Sequence, residues 1–228
     1  MNHVHTIFEN IAQKYDKMND IISFGQHRAW RRVAMKKISM QPGQTAIDVC
    51  CGTCDWAIDL AKASGTGRIV GLDFSRNMLE VARTKITRLG LQDQIELVED
   101  NAMALPFPDE TFDIATIGWG LRNVPDYLQV LKEMHRVVKP GGLVACLDMS
   151  KPTWQPFKGI YYFYFEKIMP YLGKVFAGDY ESYAWLPESL KSFPGRDGLA
   201  ELFYEAGSRS VDVTPFFGGI ACLHIGRK

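Results

Sequence analysis

Apolar residues along this chain recur at two different spacings, and the change between them falls near residue 45. Before it, Ile7, Phe8, Ile11 and Tyr15, then Trp30, Val33, Ala34 and Ile38, keep the spacing of helices with one apolar stripe. The stretch NDIISFGQH between them reads as a polar break. After residue 45, short apolar runs alternate with helical patterns. TAIDV is a compact run reaching an acid, DWAIDLAKAS has helical period, and RIVGLD repeats the design. SRNMLEVARTKITRLG then offers Ser75 as a helix N-cap and Gly90 as a stop. IELVED and FDIATIGWG read as a third and fourth strand, DYLQVLKEMHRVVK as a helix, and Pro140-Gly141-Gly142 as the stop before a fifth strand, LVACLDMS. Strands alternating with helices predict right-handed crossovers and a parallel sheet covered on both faces. A helical insertion follows at about 153–193, then a helix near 196–206. Two strand-like runs around Gly218-Gly219 predict a terminal antiparallel hairpin.

Composition narrows the partners more than the fold. The 228 residues suit one domain, and their 26 basic and 26 acidic side chains cancel. No basic block marks a nucleic-acid footprint, so no nucleic-acid partner is expected. The N-terminus lacks a basic region followed by an apolar one, so a cleaved secretory signal is not expected. The most apolar stretch, GIYYFYFEKIMPYLGKVFAG (159–178), carries Glu166, Lys167, Lys174 and a proline and is not read as a bilayer span. The expected location is cytoplasmic. Five consecutive aromatics at 161–165 cannot all point inward from one helix, so some are expected to face a pocket or a membrane.

The stretch DVCCGTCD (48–55) raises the question of chemistry. Cys50, Cys51, Cys54, Cys146 and Cys222 are an odd number, and adjacent Cys50 and Cys51 are awkward disulfide partners. Cys51-Gly-Thr-Cys54 is one CxxC with no second pair to complete a zinc set, and no metal is expected. A redox reading lacks the usual tryptophan before the motif. The stretch does fall directly after the first strand, where open parallel sheets bind ligands. Its turn needs small side chains. Asp73 ends the second strand, where a carboxylate accepts hydrogen bonds from a ribose diol. With one glycine, and with Asp48 and Asp55 bracketing it, the loop disfavours phosphates and suits a cation. A nucleoside carrying a sulfonium and an ammonium meets those demands, which points to S-adenosylmethionine, with the cysteines as small turn residues.

DxCxGTxD, the acid in GLDFS, NAMALPFPDETFD and RVVKPGG look like the class I S-adenosylmethionine-dependent methyltransferase fold. More narrowly, YDKMNDIISFGQHRAWR (15–31), GLRNVPDY (120–127) and RVVKPGGLVACLDMSKP (136–152) resemble the UbiE/MenG family of quinone C-methyltransferases. YYFYFEKIMPYLGKVFA and FPG look most like its demethylmenaquinone branch. The resemblance spans essentially the whole chain.

That resemblance implies an α/β, Rossmann-like fold: a seven-stranded, mostly parallel sheet with a C-terminal antiparallel hairpin. Residues 1–228 would form a single methyltransferase domain. Within it, 1–40 would be an N-terminal helical lid, 41–150 the cofactor-binding core, 151–195 a helical insertion, and 196–228 the C-terminal helix and hairpin. Methyl transfer from S-adenosylmethionine to a prenylated quinol is implied, with transient membrane-surface association; a homodimer stays open. Gly52 belongs to the cofactor turn, Thr53 would meet the cofactor's amino acid end, Asp73 its ribose, and Asn101 and Ala102 its adenine. Cys54 stands where relatives have glycine or alanine and would crowd the cofactor; Gly118 replaces a serine of some relatives. Arg122 and Asn123 follow the fourth strand at the substrate mouth, and Tyr15 and Asp148 face the same mouth. His27 reads either as a packing histidine or as a base. Two rival readings remain: a methyltransferase for a soluble metabolite, RNA or protein, although an NPPY-like motif is absent, and a non-enzymatic module that binds the nucleoside or docks on a membrane.

Overall fold

Apolar residues on both faces let the central strands bury both sides of the sheet. A computed structural model describes residues 2–152, 155–169, 171 and 181–228; residues 153–154, 170 and 172–180 of the expected insertion, Lys174 among them, lie outside the described residues. Strand β1 (Ala46–Val49) sends Ile47 and Val49 to one core layer and Ala46 to the other. β2 (Ile69–Asp73) and β4 (Phe112–Gly118) divide in the same way. With β3 (Ile95–Glu99), β5 (Val138–Met149), β6 (Ser210–Phe216) and β7 (Ala221–Arg227) they form a seven-stranded sheet in the order β3-β2-β1-β4-β5-β7-β6. β7 pairs antiparallel with β5 and β6, as the hairpin pattern predicts, and the remaining pairs are parallel.

Helices cover each face. Trp30, Ala34 and Ile38 of α3 (Gln26–Ile38), Trp56 and Leu60 of α4 (Asp55–Ser64), and Leu79, Ala82 and Ile86 of α5 (Arg76–Arg88) pack together on one face. The other face is covered by α6 (Tyr127–Val137), α7 (Gln155–Phe163), α8 (Glu181–Ser192) and α9 (Arg196–Glu205), through Leu131, Tyr161, Leu190 and Phe203. The N-terminal α1 (Asn2–Ile11) and α2 (Tyr15–Ser23) form a third cluster, with Ile7, Ile11 and Met18 against Met78 of α5.

Ser75 caps α5 by accepting the Met78 N–H at 3.3 Å, the role its sequence position suggests. Two expectations change. The polar break NDIISFGQH is mostly helix: α2 runs to Ser23, and only Phe24 and Gly25, both in the left-handed region, interrupt the helices. Its polar residues line the solvent side and the interhelical contacts instead of breaking the backbone. Pro140-Gly141-Gly142 does not precede β5. Val138 already pairs with Phe112, pairing resumes at Ile114 with Leu143, and the glycine-rich segment bulges between them.

Candidate functional site

β1 is flanked by β2 and β4, so the chain leaves it in one direction and returns on the other side. A crevice opens there beyond the carboxyl ends of the strands. A cavity of about 620 Å³ occupies it, walled by Cys50, Gly52, Asp73, Asn101, Ala102 and Gly118 among others. The loop after β1 is tightly wound. Cys50, Gly52 and Cys54 all have positive φ, and the two cysteines do so without glycine's freedom, a strain on the order of 1–3 kcal/mol each.

Asp73 sits on the cavity wall, 5% exposed, its carboxylate accepting the Gly52 N–H at 2.8 Å and the Ser75 N–H at 2.9 Å. Burial pushes its pKa up to about 6, against the pull of those amides. Asn101 and Ala102 line the same cavity, with Asn101 folded into a turn by its Oδ1, which accepts the Met103 N–H at 3.0 Å.

Thr53 is not on this wall. Its hydroxyl donates to Asp16 at 2.5 Å and accepts from Lys85 Nζ at 3.1 Å, so its side chain ties the loop to the N-terminal helices. Asp55 is also consumed, by Lys85 at 2.5 Å and Arg31 at 3.3 Å. Asp48 lies buried beneath the loop, accepting from Thr116 Oγ1 and the Ala57 N–H, with burial raising its pKa to about 7. The negative field expected of Asp48 and Asp55 comes instead from Asp73, Glu99, Asp100 and Glu188 on the wall. Arg122 is a cation there, and buried Asp148 already balances it. A cationic nucleoside fits this lining and a polyphosphate does not.

Cys54 does not crowd the cavity. It is fully buried against Gly71, where a Cβ would come within 2.8 Å of its Sγ, and its Sγ stands 3.4 Å from that of Cys51. Burial pushes the Cys51 thiol well up. Among the described residues no group of three histidine, cysteine, aspartate or glutamate side chains could hold a metal ion.

A second cavity of about 520 Å³ adjoins the first and is lined mainly by apolar side chains, including Ile22, Trp30, Tyr161, Phe165 and Leu186. Phe8, Tyr15, Trp119, Arg122, Asn123 and Trp185 line both cavities and form the passage between them. Trp119, with φ 61°, turns its carbonyl to accept Arg122 Nη1 at 2.7 Å and Asn123 Nδ2 at 3.1 Å. Arg122 Nη1 also donates to Asp148 at 2.6 Å, and its buried Nε has no partner among the described residues. Trp185 Nε1 donates to Asn123 Oδ1 at 3.0 Å. Burial raises the Tyr15 pKa and keeps the phenol neutral. Asp148, 1% exposed in its side chain, lines neither cavity; it stands behind Arg122 and fixes it.

His27 is on the second cavity, yet both its ring nitrogens face α2: Nδ1 lies 2.6 Å from Ser23 Oγ and Nε2 3.7 Å from Asp20. Burial lowers its pKa. That is the packing arrangement, which clips α2 to α3. At the far end, Glu9 of α1 accepts from Ser75 Oγ at 2.6 Å and from the Asn77 N–H at 3.1 Å. Burial pushes the Glu9 pKa up, but these hydrogen bonds outweigh it and hold the carboxyl below its usual range. Sequence reasoning missed this clasp, along with Phe8, Trp119 and Trp185. Trp119 alone left a trace, as the bulky residue between two glycines at a strand end.

The ubiE/COQ5 methyltransferase family model matches residues 1–228. Demethylmenaquinone methyltransferases of Bacillus pumilus, Alkalihalophilus pseudofirmus and Geobacillus stearothermophilus are 58%, 56% and 54% identical to the chain over 226 residues. The matches cover 99% of this chain and 96%, 95% and 96% of those relatives. Among solved structures, a SAM-dependent methyltransferase from Aquifex aeolicus superimposes with TM-score 0.67 at 20% identity, over 96% of this chain and 97% of that one. A SAM-dependent methyltransferase of Thermotoga maritima, described as a possible histamine N-methyltransferase, gives TM-score 0.69 at 20% identity, over 99% of this chain and 100% of that one. At such identity these two speak for the fold alone.

Proposed function

This chain belongs to the ubiE/COQ5 methyltransferase family, and from that premise we propose that it methylates a ring carbon of a prenylated quinol, converting demethylmenaquinol to menaquinol with S-adenosylmethionine as methyl donor. The observation that carries the reading is the pair of adjoining cavities, one acidic and one apolar, that share Tyr15, Arg122 and Asn123. S-adenosylmethionine, when bound, supplies an electrophilic methyl group on a cationic sulfur. We assign it to the acidic cavity, with Asp73 as ribose acceptor, Gly52 as the close backbone approach, and Asn101 and Ala102 beside the base. Thr53, next to Gly52 in the same turn, holds that loop in place through its bonds to Asp16 and Lys85.

The quinol takes the apolar cavity. Ring-carbon attack needs electron density at that carbon, which a hydroquinone oxygen supplies as its proton leaves. Arg122, held by Asp148 and the Trp119 carbonyl, offers a fixed positive charge to that oxygen, and Asn123 and Tyr15 offer neutral polar groups. Preorganisation matters because none of these groups has to reorient as charge develops. The N-terminal helices act as the lid, anchored by Glu9 at α5 and by Asp16 at the Thr53–Lys85 pair.

Such a quinol resides in a bilayer, so the reading includes transient association of a cytoplasmic protein with the membrane surface. No helix among the described residues is long and apolar enough to cross a membrane. The test is incubation with labelled S-adenosylmethionine and three acceptors: a short-chain demethylmenaquinol, its oxidised quinone and a simple catechol. Label is expected on the quinol alone; equal labelling of the catechol overturns the assignment.

Two further outcomes follow from the same geometry. Cys51→Ala with Cys54→Ala removes packing against Gly71 but no ligand. The pair should lower stability by about 1–3 kcal/mol and leave activity, with or without chelator, essentially intact. Melting curves and the labelling assay decide it; activity lost to a chelator contradicts it. For the tail, Tyr161, Tyr164 and Phe165 of the aromatic run line the apolar cavity, whereas Tyr162 packs against the core beside it. Tyr164→Ser should raise KM for long-tailed quinols about tenfold, the loss of roughly two buried methylenes, with little change for a tail-less quinol. Equal losses for both contradict the tail path.

A further inference from the structure

α7 and the π-turn that continues it, Tyr164–Ile168, carry apolar residues on opposite faces. Tyr161, Phe165 and Met169, four residues apart, are buried. Phe163, Lys167 and Tyr171, also four apart but offset by two, are exposed, Phe163 at 62% and Tyr171 at 61%. Ile168 adds to the exposed side at 39%. A helix that packs one face into a core normally keeps the other polar. This one presents aromatic and aliphatic side chains to solvent, interleaved with Lys158 and Lys167, which form no ion pair among the described residues.

The exposed face is continuous with the mouth of the apolar cavity. Tyr164, next to Phe163, lines that cavity and meets the ring of Phe24 at 6.4 Å. Phe24, 77% exposed, and Phe217, 63% exposed, also line it, each at the tip of a turn and each with positive φ. Holding a phenylalanine in the left-handed region at an exposed tip is costly, and burial in this fold does not repay it.

We propose that the exposed stripe Phe163, Ile168 and Tyr171, flanked by Lys158 and Lys167 and extended by Phe24 and Phe217, is the surface that docks on an anionic lipid bilayer, seating the apolar cavity's mouth on the membrane. This rests on the quinol reading above and names the face that serves it. Aromatic rings suit the headgroup boundary, where one part is apolar and the rest wet. Lysines whose stems lie along apolar surface reach the phosphates and draw the protein to negative lipid. The cavity mouth then opens to the acyl layer, so a long prenyl tail passes from lipid to protein without crossing water.

The test is flotation of the full chain with vesicles of phosphatidylglycerol and phosphatidylethanolamine, free of any quinol, against phosphatidylcholine vesicles. The triple variant Phe163→Ser, Ile168→Ser, Tyr171→Ser touches neither cavity. Wild type is expected to float with the anionic vesicles, less so at high salt, and the variant about tenfold less, since three interfacial apolar side chains are gone. Methylation of a tail-less quinol should be unchanged in the variant, and of a vesicle-borne long-tailed quinol strongly reduced. Wild type that fails to float, a variant that floats equally, or sedimentation in which wild type dimerises through this face and the variant does not, overturns the docking surface. Because the vesicles hold no quinol, these results stand apart from the quinol reading, which fails instead if wild type leaves the tail-less quinol unlabelled.

Discussion

Arg122→Gln is expected to lower kcat by about 10²–10³-fold, the usual effect of removing one preorganised group that faces developing negative charge. Affinity for S-adenosylmethionine should change little, because Asp73 and the loop after β1 remain. The substitution also strands Asp148, buried and already bonded to the Met149 N–H at 2.7 Å. An unpaired buried charge destabilises by about 3–5 kcal/mol, so the variant is best read beside Asp148→Asn and beside the Arg122→Gln, Asp148→Asn double. The double restores neutrality and should recover stability without recovering kcat. Asp148→Asn alone keeps the cation but loosens its aim, and a loss of about tenfold, smaller than for Arg122 itself, is expected. Steady-state kinetics with melting curves separate these cases. A double variant that regains full kcat would mean the pair is structural only.

Asp73→Ala is expected to weaken S-adenosylmethionine binding by about tenfold or more, through the loss of charge-assisted hydrogen bonds of about 1.5–3 kcal/mol. The carboxylate also organises the loop, since it holds the Gly52 and Ser75 amides. Asp73→Asn therefore serves as the milder partner. Because burial raises the Asp73 pKa to about 6, the carboxylate is the charged acceptor above that value and is lost as pH falls through it. Affinity should accordingly drop on acidification below about pH 6 in the wild type and stay flatter in Asp73→Asn. Calorimetry across that range checks both. Equal affinity of the folded alanine variant removes Asp73 from the cofactor site.

Much of this was readable because the fold rests on local periodicity. Each predicted core strand lies where an apolar run meets a polar or glycine stop, and Ser75 announces α5 by its own side chain. Asp73 was legible because its position depends on β2 ending there. What escaped depends on contacts far apart in sequence. Thr53 and Asp73 both belong to the ligand end of the sheet, but the bonds of the Thr53 hydroxyl to Asp16 and Lys85 join residues 37 and 32 positions apart. The aromatic run at 161–165 announced surplus apolar surface, yet which rings face the cavity depends on the π-turn beginning at Tyr164. The two-chamber layout, with Phe8 and Trp185 brought from the chain's two helical appendages, has no local signature at all.

The most direct test of the account is ¹³C NMR of the product formed from ¹³C-methyl S-adenosylmethionine and short-chain demethylmenaquinol. The adjoining chambers with Tyr15, Arg122 and Asn123 between them predict a single new aryl-methyl resonance on the quinone ring carbon, absent with Arg122→Gln on the same timescale. A methoxy resonance, or no transfer to the quinol under conditions where S-adenosylmethionine binds, contradicts it.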